Sequence, residues 1–389
     1  MSTKRVVLAQ FNAADGYPPV LNQAGILAEH AEVTLLDTGG EDARMIEIPG
    51  VQRLRVYWEK GTRIEKFSRL KARFEFARWL RALAKQSPDA IIAFEPDAIA
   101  LTMLNEFPKK CLKIGHLHEH PSPGVYEAPV DRVALGFVRR HADALDLLVV
   151  ADENRGRLLQ ERWKLKRAPL VVRNCPRRLE NLPESRLLPW LKERGVRPSA
   201  IAYYQGSIGV NQGIDQVVET MPHWPQDSVL VLAGSICASF KARLDSIAAE
   251  GRTQDRIYYL GCVPYDQLFS CAVGADVALS LLDPKREQLR FAAGASNKRF
   301  EYAALGIPQI TTAAPGIEET FVAKALALSV PWDDNAALAT AISRLLENPA
   351  LRQSMGEKAR ALHLSQYNYE REFGPAIERI VDAKRKEPS

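Results

Sequence analysis

The sequence predicts an α/β protein made of two doubly wound domains, each built on a parallel sheet. Its 389 residues exceed the usual size of one domain, and 46% hydrophobic with 25% charged residues is ordinary for a folded soluble chain. Short β-branched runs alternate with segments of helical length from end to end, which is typical of parallel sheets covered by helices on both faces. An apolar run from Leu170 ends in a proline-containing turn between two series of such runs, and we place the domain boundary there.

The predicted strands follow one another in both halves of the chain. In the first half they are Arg5–Phe11, Val33–Leu36, Leu54–Tyr57, Ala90–Phe94, Leu112–His116 and Leu147–Val150. In the second half they are Ala200–Tyr204, Ser228–Leu232, Ile257–Leu260, Ala275–Leu281, Pro308–Thr312 and Leu326–Val330. Two such domains facing each other would bind ligands in a cleft outside the carboxyl ends of these strands, so we expect the active site in that cleft.

Basic residues are concentrated in the first half. Residues 1–190 carry 30 Lys and Arg against 24 Asp and Glu, whereas residues 191–389 carry 22 against 23. This asymmetry suggests that the first half faces an anionic partner. Much of the excess lies in Arg63–Lys85, which predicts either an amphipathic helix on an anionic membrane or a solvated face over a core stripe. The apolar residues at helical spacing in this segment are Phe67, Leu70, Phe74 and Trp79.

Several classes of protein lose support because their sequence signals are missing. Five scattered cysteines without a C-x-x-C pair argue against a disulfide framework or a zinc site and fit a reducing cytoplasm. The apolar run Val6–Ala9 is too short for a signal peptide, and no run of about 18 apolar residues predicts a membrane span. No phosphate loop, nucleophile elbow, H-E-x-x-H helix, dinucleotide fingerprint or D-x-D pair occurs. Nucleic-acid binding is not expected either, since the basic residues lack a recognised module.

The first candidate site is a glycine-rich turn that joins a predicted strand to a helix. It contains Gly206, Gly209 and Gly213, and glycines there let backbone amides and the positive end of a helix approach an anionic group. Such turns also serve packing alone, and the turn by itself does not separate the two uses.

The second candidate site is a predicted helix that begins at Ser296 as its N-cap and ends at Gly306 as its C-cap. Lys298 near a helix N-terminus opposes the macrodipole, so a bound anion explains it better than helix stability does. Glu301, one turn later, is placed to accept hydrogen bonds from two vicinal hydroxyls, as a carboxylate does with ribose. A capping box between Ser296 and Glu301 is the alternative, although its spacing is too long.

A third group consists of alternating histidines. His116, His118 and His120 would point to one side of an extended segment. They could form part of a binding site, fill structural roles or bind a metal, but a further class of ligand for a metal is missing.

Together these segments resemble the donor-binding domain of the family 4 retaining glycosyltransferases, which have the GT-B fold of two facing Rossmann-like domains. The resemblance covers roughly residues 170–375 and is carried by an ordered series of segments: Gly206–Gly209, Val231–Gly234, Leu260–Tyr265, Ala275–Ser280, Ser296–Tyr302, Asn335–Leu346 and Asn348–Leu362. In the first half the resemblance is looser, through Gly16–Pro19 and Gly115–His120. It implies an acceptor-binding domain at 1–173, a nucleotide-sugar domain at 174–368, and a C-terminal helix at 369–389 that packs on the first domain.

The resemblance also implies an activity and residues that carry it. The activity is transfer of a hexosyl-type group from a UDP- or GDP-linked sugar with retention of configuration, without a metal or a further cofactor. The implied catalytic residues are His118, Lys298 and Glu301. The implied donor-binding residues are Gly206, Ser207, Gly209, Gln212, Gly234, Cys262, Val263, Pro264, Arg290, Ser296, Asn297, Lys298 and Glu301. The implied acceptor-side residues are Gly16, Tyr17, His116, His118 and Glu119. The acceptor would be a lipid-linked or glycan precursor, reached from the cytoplasm and at the inner face of the membrane.

Two departures from the family pattern leave alternatives open. Many relatives have a glutamate where this chain has Ala293, and a cation near the position of Gln212. Lys285, Arg286 or Arg290 could supply the missing cation. A sugar-nucleotide 2-epimerase of the same fold, or a degenerate protein that binds sugar nucleotides without turnover, are the alternative functions.

Overall fold

The computed structural model describes residues 3–40, 45–59 and 65–381. The chain divides into two compact units. Unit 1 comprises Met1–Arg177 and Tyr369–Ser389, and unit 2 comprises Arg178–Asn368. The division therefore falls four residues after the boundary placed from the sequence, and the C-terminal helix belongs to unit 1.

Unit 1 contains a parallel sheet of seven strands in the described residues. These are β1 (Lys4–Gln10), β2 (Ala31–Gly40), β3 (Val51–Trp58), β4 (Ala90–Phe94), β5 (Leu112–Leu117), β6 (Leu147–Val150) and β7 (Leu170–Val171). Their order across the sheet is β3-β2-β1-β4-β5-β6-β7. The sheet thus grows in one direction from β1 and in the other from β4, and the point between them is where ligands bind in doubly wound folds.

Unit 2 repeats this arrangement with six strands in its described part. These are β8 (Ala200–Gln205), β9 (Ser228–Ala233), β10 (Ile257–Gly261), β11 (Val277–Ser280), β12 (Gln309–Thr312) and β13 (Ala327–Val330). Their order is β10-β9-β8-β11-β12-β13, with all pairs parallel. The corresponding switch point lies between β8 and β11.

Helices connect the strands and cover both faces of each sheet. In chain order they are α1 (Pro18–Ala28), α2 (Glu65–Lys85), α3 (Glu95–Leu104), α4 (Pro129–His141), α5 (Glu153–Trp163), α6 (Leu187–Glu193), α7 (Ile214–Thr220), α8 (Ala238–Glu250), α9 (Tyr265–Ala272), α10 (Glu287–Arg290), α11 (Asn297–Leu305), α12 (Asn335–Glu347), α13 (Pro349–Ser365) and α14 (Tyr369–Val381). The predicted α/β class with two parallel sheets is confirmed.

Alternation along β1 shows how each sheet is buried on both faces. Val7 and Ala9 pack on one side with residues of α2, whereas Val6 and Leu8 pack on the other with residues of α1 and α14. Successive side chains of a strand point to opposite faces, so a strand buried on both sides needs a continuous apolar run.

Two details differ from the sequence expectations. The apolar run from Leu170, which was not among the predicted strands, begins with the edge strand β7, which is only two residues long and pairs with β6. On α2 the buried face consists of Ala72, Phe76, Leu80, Leu83 and Ala84. The apolar residues expected to form a core stripe, Phe67, Leu70, Phe74 and Trp79, are exposed instead. Arg63 and the side chain of Lys66 lie outside the described residues.

Candidate functional site

The glycine-rich turn follows β8 and is tied to the segment after β9. The Gly206 amide donates to the Ala233 carbonyl at 2.9 Å, and the Ile208 amide donates to the Ser235 carbonyl at 2.9 Å. Gly206 has φ +119°, which side chains rarely allow, and it is exposed together with Ser207. The turn therefore presents bare backbone at the switch point of unit 2.

Gly234 shows why this region needs glycine. Its φ is +147°, and a Cβ built on it would lie 1.8 Å from the Gly206 carbonyl oxygen. The Gly234 amide donates to the Gly261 carbonyl at 2.8 Å, so the loops after β8, β9 and β10 are in direct backbone contact. The structure thus brings together three loops that the sequence assigned to the donor site.

The turn enters α7 through a short 3-10 segment at Val210–Gln212. Gly213 has φ +61° and precedes the first residue of α7. Gly209 is extended, and the Gln212 side-chain oxygen would lie 3.2 Å from a Cβ placed there. Gln212 is therefore next to the turn, as expected, but it brings an uncharged amide to this position.

Lys298 lies against the glycine turn. Its Nζ donates to the Tyr204 Oη at 2.8 Å, lies 4.1 Å from the centroid of that ring, and would be 3.2 Å from a Cβ at Gly206. Burial, with a contribution from the neighbouring Arg299, lowers the pKa of Lys298 to about 7, although Glu301 opposes this. The ammonium is therefore placed where an anion at the turn would meet it.

Glu301 is buried one turn further along α11. Its carboxylate accepts a hydrogen bond from Gln205 Nε2 at 2.6 Å. Burial raises the pKa of Glu301 to about 7, and the bond from Gln205 and the charge of Lys298 oppose the rise. The Tyr302 Oη accepts from the Gln205 amide at 2.9 Å. The last two residues of β8, Tyr204 and Gln205, therefore hold the two candidate residues of α11.

The start of α11 differs from the sequence expectation. Ser296 is the N-cap residue, as predicted, but its side chain makes no capping hydrogen bond. Among the described residues, the buried Oδ1 of Asn297 has no hydrogen-bond partner. The first amides of α11 thus have no side-chain cap, which suits a helix terminus that receives an anion. Gly306, with φ +71°, ends the helix as predicted.

Other residues expected at the donor site lie in the loop after β10 and are at least partly exposed. Cys262 and Pro264 are exposed, Val263 is partly buried, and α9 begins directly after them. Tyr265 follows, and burial together with the charge of Glu301 raises the pKa of its phenol. The loop after β10 thus offers accessible backbone, and α9 contributes a tyrosine that faces Glu301.

Two of the proposed replacement cations, Lys285 and Arg290, are exposed. Lys285 forms an exposed salt bridge with Asp333 at 2.9 Å, so its ammonium is engaged there. Arg290 is exposed and its guanidinium lies 5.6 Å from the ring of Phe291. Ala293 is buried, and its methyl group cannot accept hydrogen bonds from a sugar. Lys298, in contrast, lies directly against the glycine turn.

In unit 1 the acceptor-side candidates gather around His118. Tyr17 stacks on its ring at 5.7 Å between centroids, and Phe94 stacks on it at 5.2 Å. Burial, with the nearby Arg155 charge, lowers the pKa of His118 to about 3, so the ring is neutral at working pH. Both of its ring nitrogens are buried without a hydrogen-bond partner among the described residues. Gly16, next to Tyr17, is exposed.

His116 lies beneath His118, with 4.5 Å between ring centroids. Its Nδ1 is 2.8 Å from Gln23 Nε2, which also donates to the Tyr369 Oη at 2.8 Å. Burial lowers the pKa of His116. His120 is buried as well. In residues 3–40, 45–59 and 65–381, no group of three His, Cys, Asp or Glu side chains could hold a metal ion.

Glu95 is a candidate that the sequence reasoning missed. It follows β4 at the switch point of unit 1, has φ +64°, and accepts from the amide of His118 at 2.6 Å and from that of Glu119 at 3.3 Å. The hydroxyl of Tyr126 also donates to it. Burial raises its pKa to about 7. A glutamate directly after a buried strand and before Pro96 was the available signal.

A buried charge network, also missed, supports the turn that carries Tyr17. Arg53 bridges Asp15 at 2.9 Å and Asp37 at 2.5 Å, and Arg55 contacts both carboxylates. Asp37 accepts from the Ala14 amide at 3.0 Å. Burial opposes ionisation of Asp15, but hydrogen bonds from Arg53, Ile46 and Arg55 lower its pKa to about 2. The alternation of two arginines on β3 was the visible signal.

Residues 216–376 match the family described as glycosyl transferase-like. Among curated protein sequences, none matches the chain.

Solved structures with a similar fold extend over nearly the whole chain. Sucrose-phosphate synthase from Thermosynechococcus elongatus is 18% identical with a TM-score of 0.75, covering 98% of this chain and 100% of that one. HepE from Anabaena, in complex with UDP and glucose, is 14% identical with a TM-score of 0.73, covering 97% and 100%. The lipopolysaccharide glycosyltransferase WaaG is 13% identical with a TM-score of 0.68, covering 96% and 99%. With its two parallel sheets the chain has the GT-B fold of these structures, and its residues 216–376 match the glycosyl transferase-like family.

Proposed function

We propose that this protein transfers a sugar from a nucleotide-diphosphate sugar, UDP- or GDP-linked, to an acceptor hydroxyl with retention of anomeric configuration. The observation that carries the proposal is the arrangement of Lys298 and Glu301 beside Gly206. One ammonium, one carboxylate and a bare backbone turn meet at the switch point of unit 2. Two similar structures, HepE and trehalose-6-phosphate from E. coli, hold UDP with glucose and UDP-2-fluoro glucose.

Each part of a nucleotide sugar has a matching group in unit 2. The diphosphate would lie against the exposed backbone of Gly206 and Ser207, where it meets Lys298. The ribose hydroxyls would donate to Glu301, which Gln205 holds in place. The base would lie along the loop at Cys262–Pro264, which offers backbone donors and acceptors at its exposed surface.

The main chemical task of the protein is to stabilise the leaving diphosphate. The bond from the anomeric carbon to the diphosphate oxygen breaks, and a bond from that carbon to the acceptor oxygen forms on the same face. Negative charge then accumulates on the departing phosphate, which takes up the proton of the acceptor hydroxyl. Lys298 and the uncapped start of α11 would stabilise that negative charge. Such preorganised electrostatic stabilisation is usually the largest contribution to catalysis.

Unit 1 is proposed to bind the acceptor, a lipid-linked or glycan precursor. His118 is held between Tyr17 and Phe94 and stays neutral, so it can donate or accept one hydrogen bond at each ring nitrogen but cannot act as a cation. Glu95 fixes the backbone of His118 and Glu119, which keeps this segment in place.

Contact with an anionic membrane surface is part of the proposal. Phe67 and Phe74 are each 71% exposed on α2, among basic residues such as Lys71 and Arg78. Exposed aromatic and basic residues on one helix suit binding at the headgroup level. No helix within 3–40, 45–59 or 65–381 has the length and apolarity needed to cross a bilayer. The proposed location is cytoplasmic, at the inner membrane face.

Liposome sedimentation tests this contact. Reversing the charge of Arg78 should reduce binding to vesicles that contain anionic lipid, whereas Arg73 is unsuitable because it pairs with Asp97 at 2.8 Å inside unit 1. Arg69 also has an internal partner, with its guanidinium 5.0 Å from the Trp58 ring. Unchanged sedimentation of the Arg78 variant would remove the membrane proposal.

The donor site is tested by a thermal-shift screen against UDP, GDP, ADP and their sugars. A ligand at 100 times its dissociation constant adds about 2.7 kcal/mol to stability, which gives a clear shift. The stabilising sugar nucleotide is then incubated with candidate acceptors, and the anomeric configuration of the product is read by NMR. Stabilisation by none of the nucleotides would refute the proposal.

Two alternatives have distinct outcomes in the same experiments. A degenerate binding protein, favoured by the buried Ala293, would be stabilised by a sugar nucleotide but would release no sugar from it. A sugar-nucleotide 2-epimerase would convert UDP-GlcNAc without an acceptor. Transfer of the sugar to an acceptor with retention of configuration would exclude both alternative functions.

A further inference from the structure

Tyr204 is the side chain on which Lys298 rests. Its Oη accepts a hydrogen bond from Lys298 Nζ at 2.8 Å and donates its own proton to the Ser207 carbonyl at 2.6 Å. The ring lies 4.1 Å from the same ammonium. Tyr204 is fully buried. One phenol thus contacts both the candidate cation and the backbone of the glycine turn.

We propose that Tyr204 is a positioning residue that holds Lys298 against the glycine turn and makes binding of the donor diphosphate depend on the protonation of this lysine. The inference rests on the proposed function, in which Lys298 meets the diphosphate. It adds a residue outside the donor set and a dependence on pH.

The geometry of the phenol favours the charged form of the lysine. Because the single proton of Tyr204 is directed at Ser207, only lone pairs face Lys298, and these accept from an ammonium. The face of the ring attracts the same charge. Burial raises the pKa of Tyr204, so the phenol itself stays protonated.

Other groups around Lys298 raise or lower its pKa. On its own helix, Arg299 disfavours the ammonium and Glu301 favours it, and burial disfavours it most. From α9, Tyr265 faces Glu301, and from α13, Arg360 donates to the Ala304 carbonyl at the far end of α11. The pKa of Lys298 therefore lies at about 7, within reach of ordinary conditions.

The affinity for the donor diphosphate should fall as the pH rises above the pKa of Lys298. A diphosphate attracts the ammonium and not the neutral amine, so it raises the pKa of Lys298 when it binds. Above the pKa of the free protein, binding must take up a proton, and the affinity falls as pH rises. Below it, Lys298 is already charged and the affinity does not change through this group.

The experiment measures the dissociation constant of UDP-glucose by calorimetry from about pH 6 to about pH 9. If the thermal-shift screen identifies another nucleotide sugar, that one replaces it as the probe. For the wild type we expect a constant affinity below about pH 7 and a fall of about tenfold per pH unit above it. The number of protons taken up is read by repeating the titration in two buffers of different ionisation enthalpy, which requires no variant.

The decisive variant is Tyr204→Phe, which keeps the ring and removes the hydroxyl. Lys298 then loses an acceptor for its charged form, so the midpoint of the pH profile should move down by about one unit. At about pH 7.5 this weakens binding by up to about tenfold.

Tyr203→Phe is the matched control. Tyr203 is the neighbouring, equally buried tyrosine, and within the described residues its hydroxyl has no hydrogen-bond partner. Its variant should keep the wild-type profile. Lys298→Met should bind weakly and without the fall above pH 7.

Each result decides a separate point. A Tyr204→Phe profile that superimposes on the wild type would overturn the role of Tyr204, and a flat wild-type profile without proton uptake would overturn the pH dependence. A fall that persists in Lys298→Met would assign it to another group and overturn the inference. In all three cases the nucleotide sugar still binds, so the proposed function stands. If the protein bound no nucleotide sugar at all, both the proposed function and the inference about Tyr204 would be refuted.

Discussion

Substitution of Gly234 by alanine tests whether the loops after β8, β9 and β10 act as one support for the donor site. The new Cβ would lie 1.8 Å from the Gly206 carbonyl oxygen and 2.7 Å from its carbon, whereas real Cβ contacts stay beyond 3.0 Å. The opposing atoms are backbone, so no side chain can turn away. The two chain segments must separate by more than about 1 Å.

The cost can be estimated from two contributions. Alanine at a positive φ costs about 1–2 kcal/mol, and the forced separation weakens the 2.9 Å bond from the Gly206 amide to the Ala233 carbonyl. Together these predict a loss of about 3 kcal/mol in the free energy of unfolding of unit 2. Because Gly206 moves with this bond, we also expect UDP to lose its stabilising effect.

Gly261→Ala is the control for the backbone conformation alone. Gly261 has φ +78° but open space where a Cβ would be, so only the conformational cost of about 1 kcal/mol remains. Urea unfolding and thermal shift with UDP are measured for both variants. If Gly234→Ala proved as stable as Gly261→Ala and bound UDP equally well, the close approach of these loops would be refuted.

Three further predictions concern other parts of the molecule. Glu301→Ala and Lys298→Ala should each abolish or greatly reduce sugar transfer while circular dichroism shows an intact fold; near-normal turnover by either would mean that the donor site is wrongly assigned. Replacing Phe67 and Phe74 by serine should weaken vesicle binding without changing the melting temperature, because both rings are exposed. Asp15→Asn should cost about 2 kcal/mol at pH 7, since the pKa of Asp15 is lowered from 3.8 to about 2. This stabilisation is present above about pH 4 and disappears as the pH falls through 2, so in acid titrations of unfolding the variant should lose less stability than the wild type.

The sequence was sufficient for features that depend on local pattern. Continuous apolar runs identified the strands that are buried on both faces, because such strands show no alternation. Glycines at positive φ, such as Gly206 and Gly306, marked turns and a helix end that few other residues could form. Lys298 stood out because a cation is unfavourable at the start of a helix, and Glu301 stood out because it lies one turn later with a carboxylate that can accept from two hydroxyls.

The sequence was insufficient where a role depends on residues far apart in the chain. The hydrogen bonds from Gln205 to Glu301 and from Lys298 to Tyr204 join β8 to α11 across more than 90 positions. Glu95 acquires its role from amides that follow β5. The spacing on α2 did not separate its buried residues from exposed ones such as Phe67, because both sets recur at helical intervals.

The membership of α14 in unit 1 affects the order in which the chain can fold during synthesis. Residues of α14, among them Tyr369, Phe373 and Ile380, complete a core that otherwise consists of residues from the first half, and the Tyr369 amide donates to the Pro176 carbonyl at 2.9 Å. A ribosome must therefore release the last helix before unit 1 can close, whereas unit 2 is already whole. Although domains of a growing chain generally fold from the N-terminus, here the unit translated first is the one finished last. In a chain truncated before residue 369, we therefore expect unit 1 to fail to fold, although most of its residues lie far in sequence from the deletion.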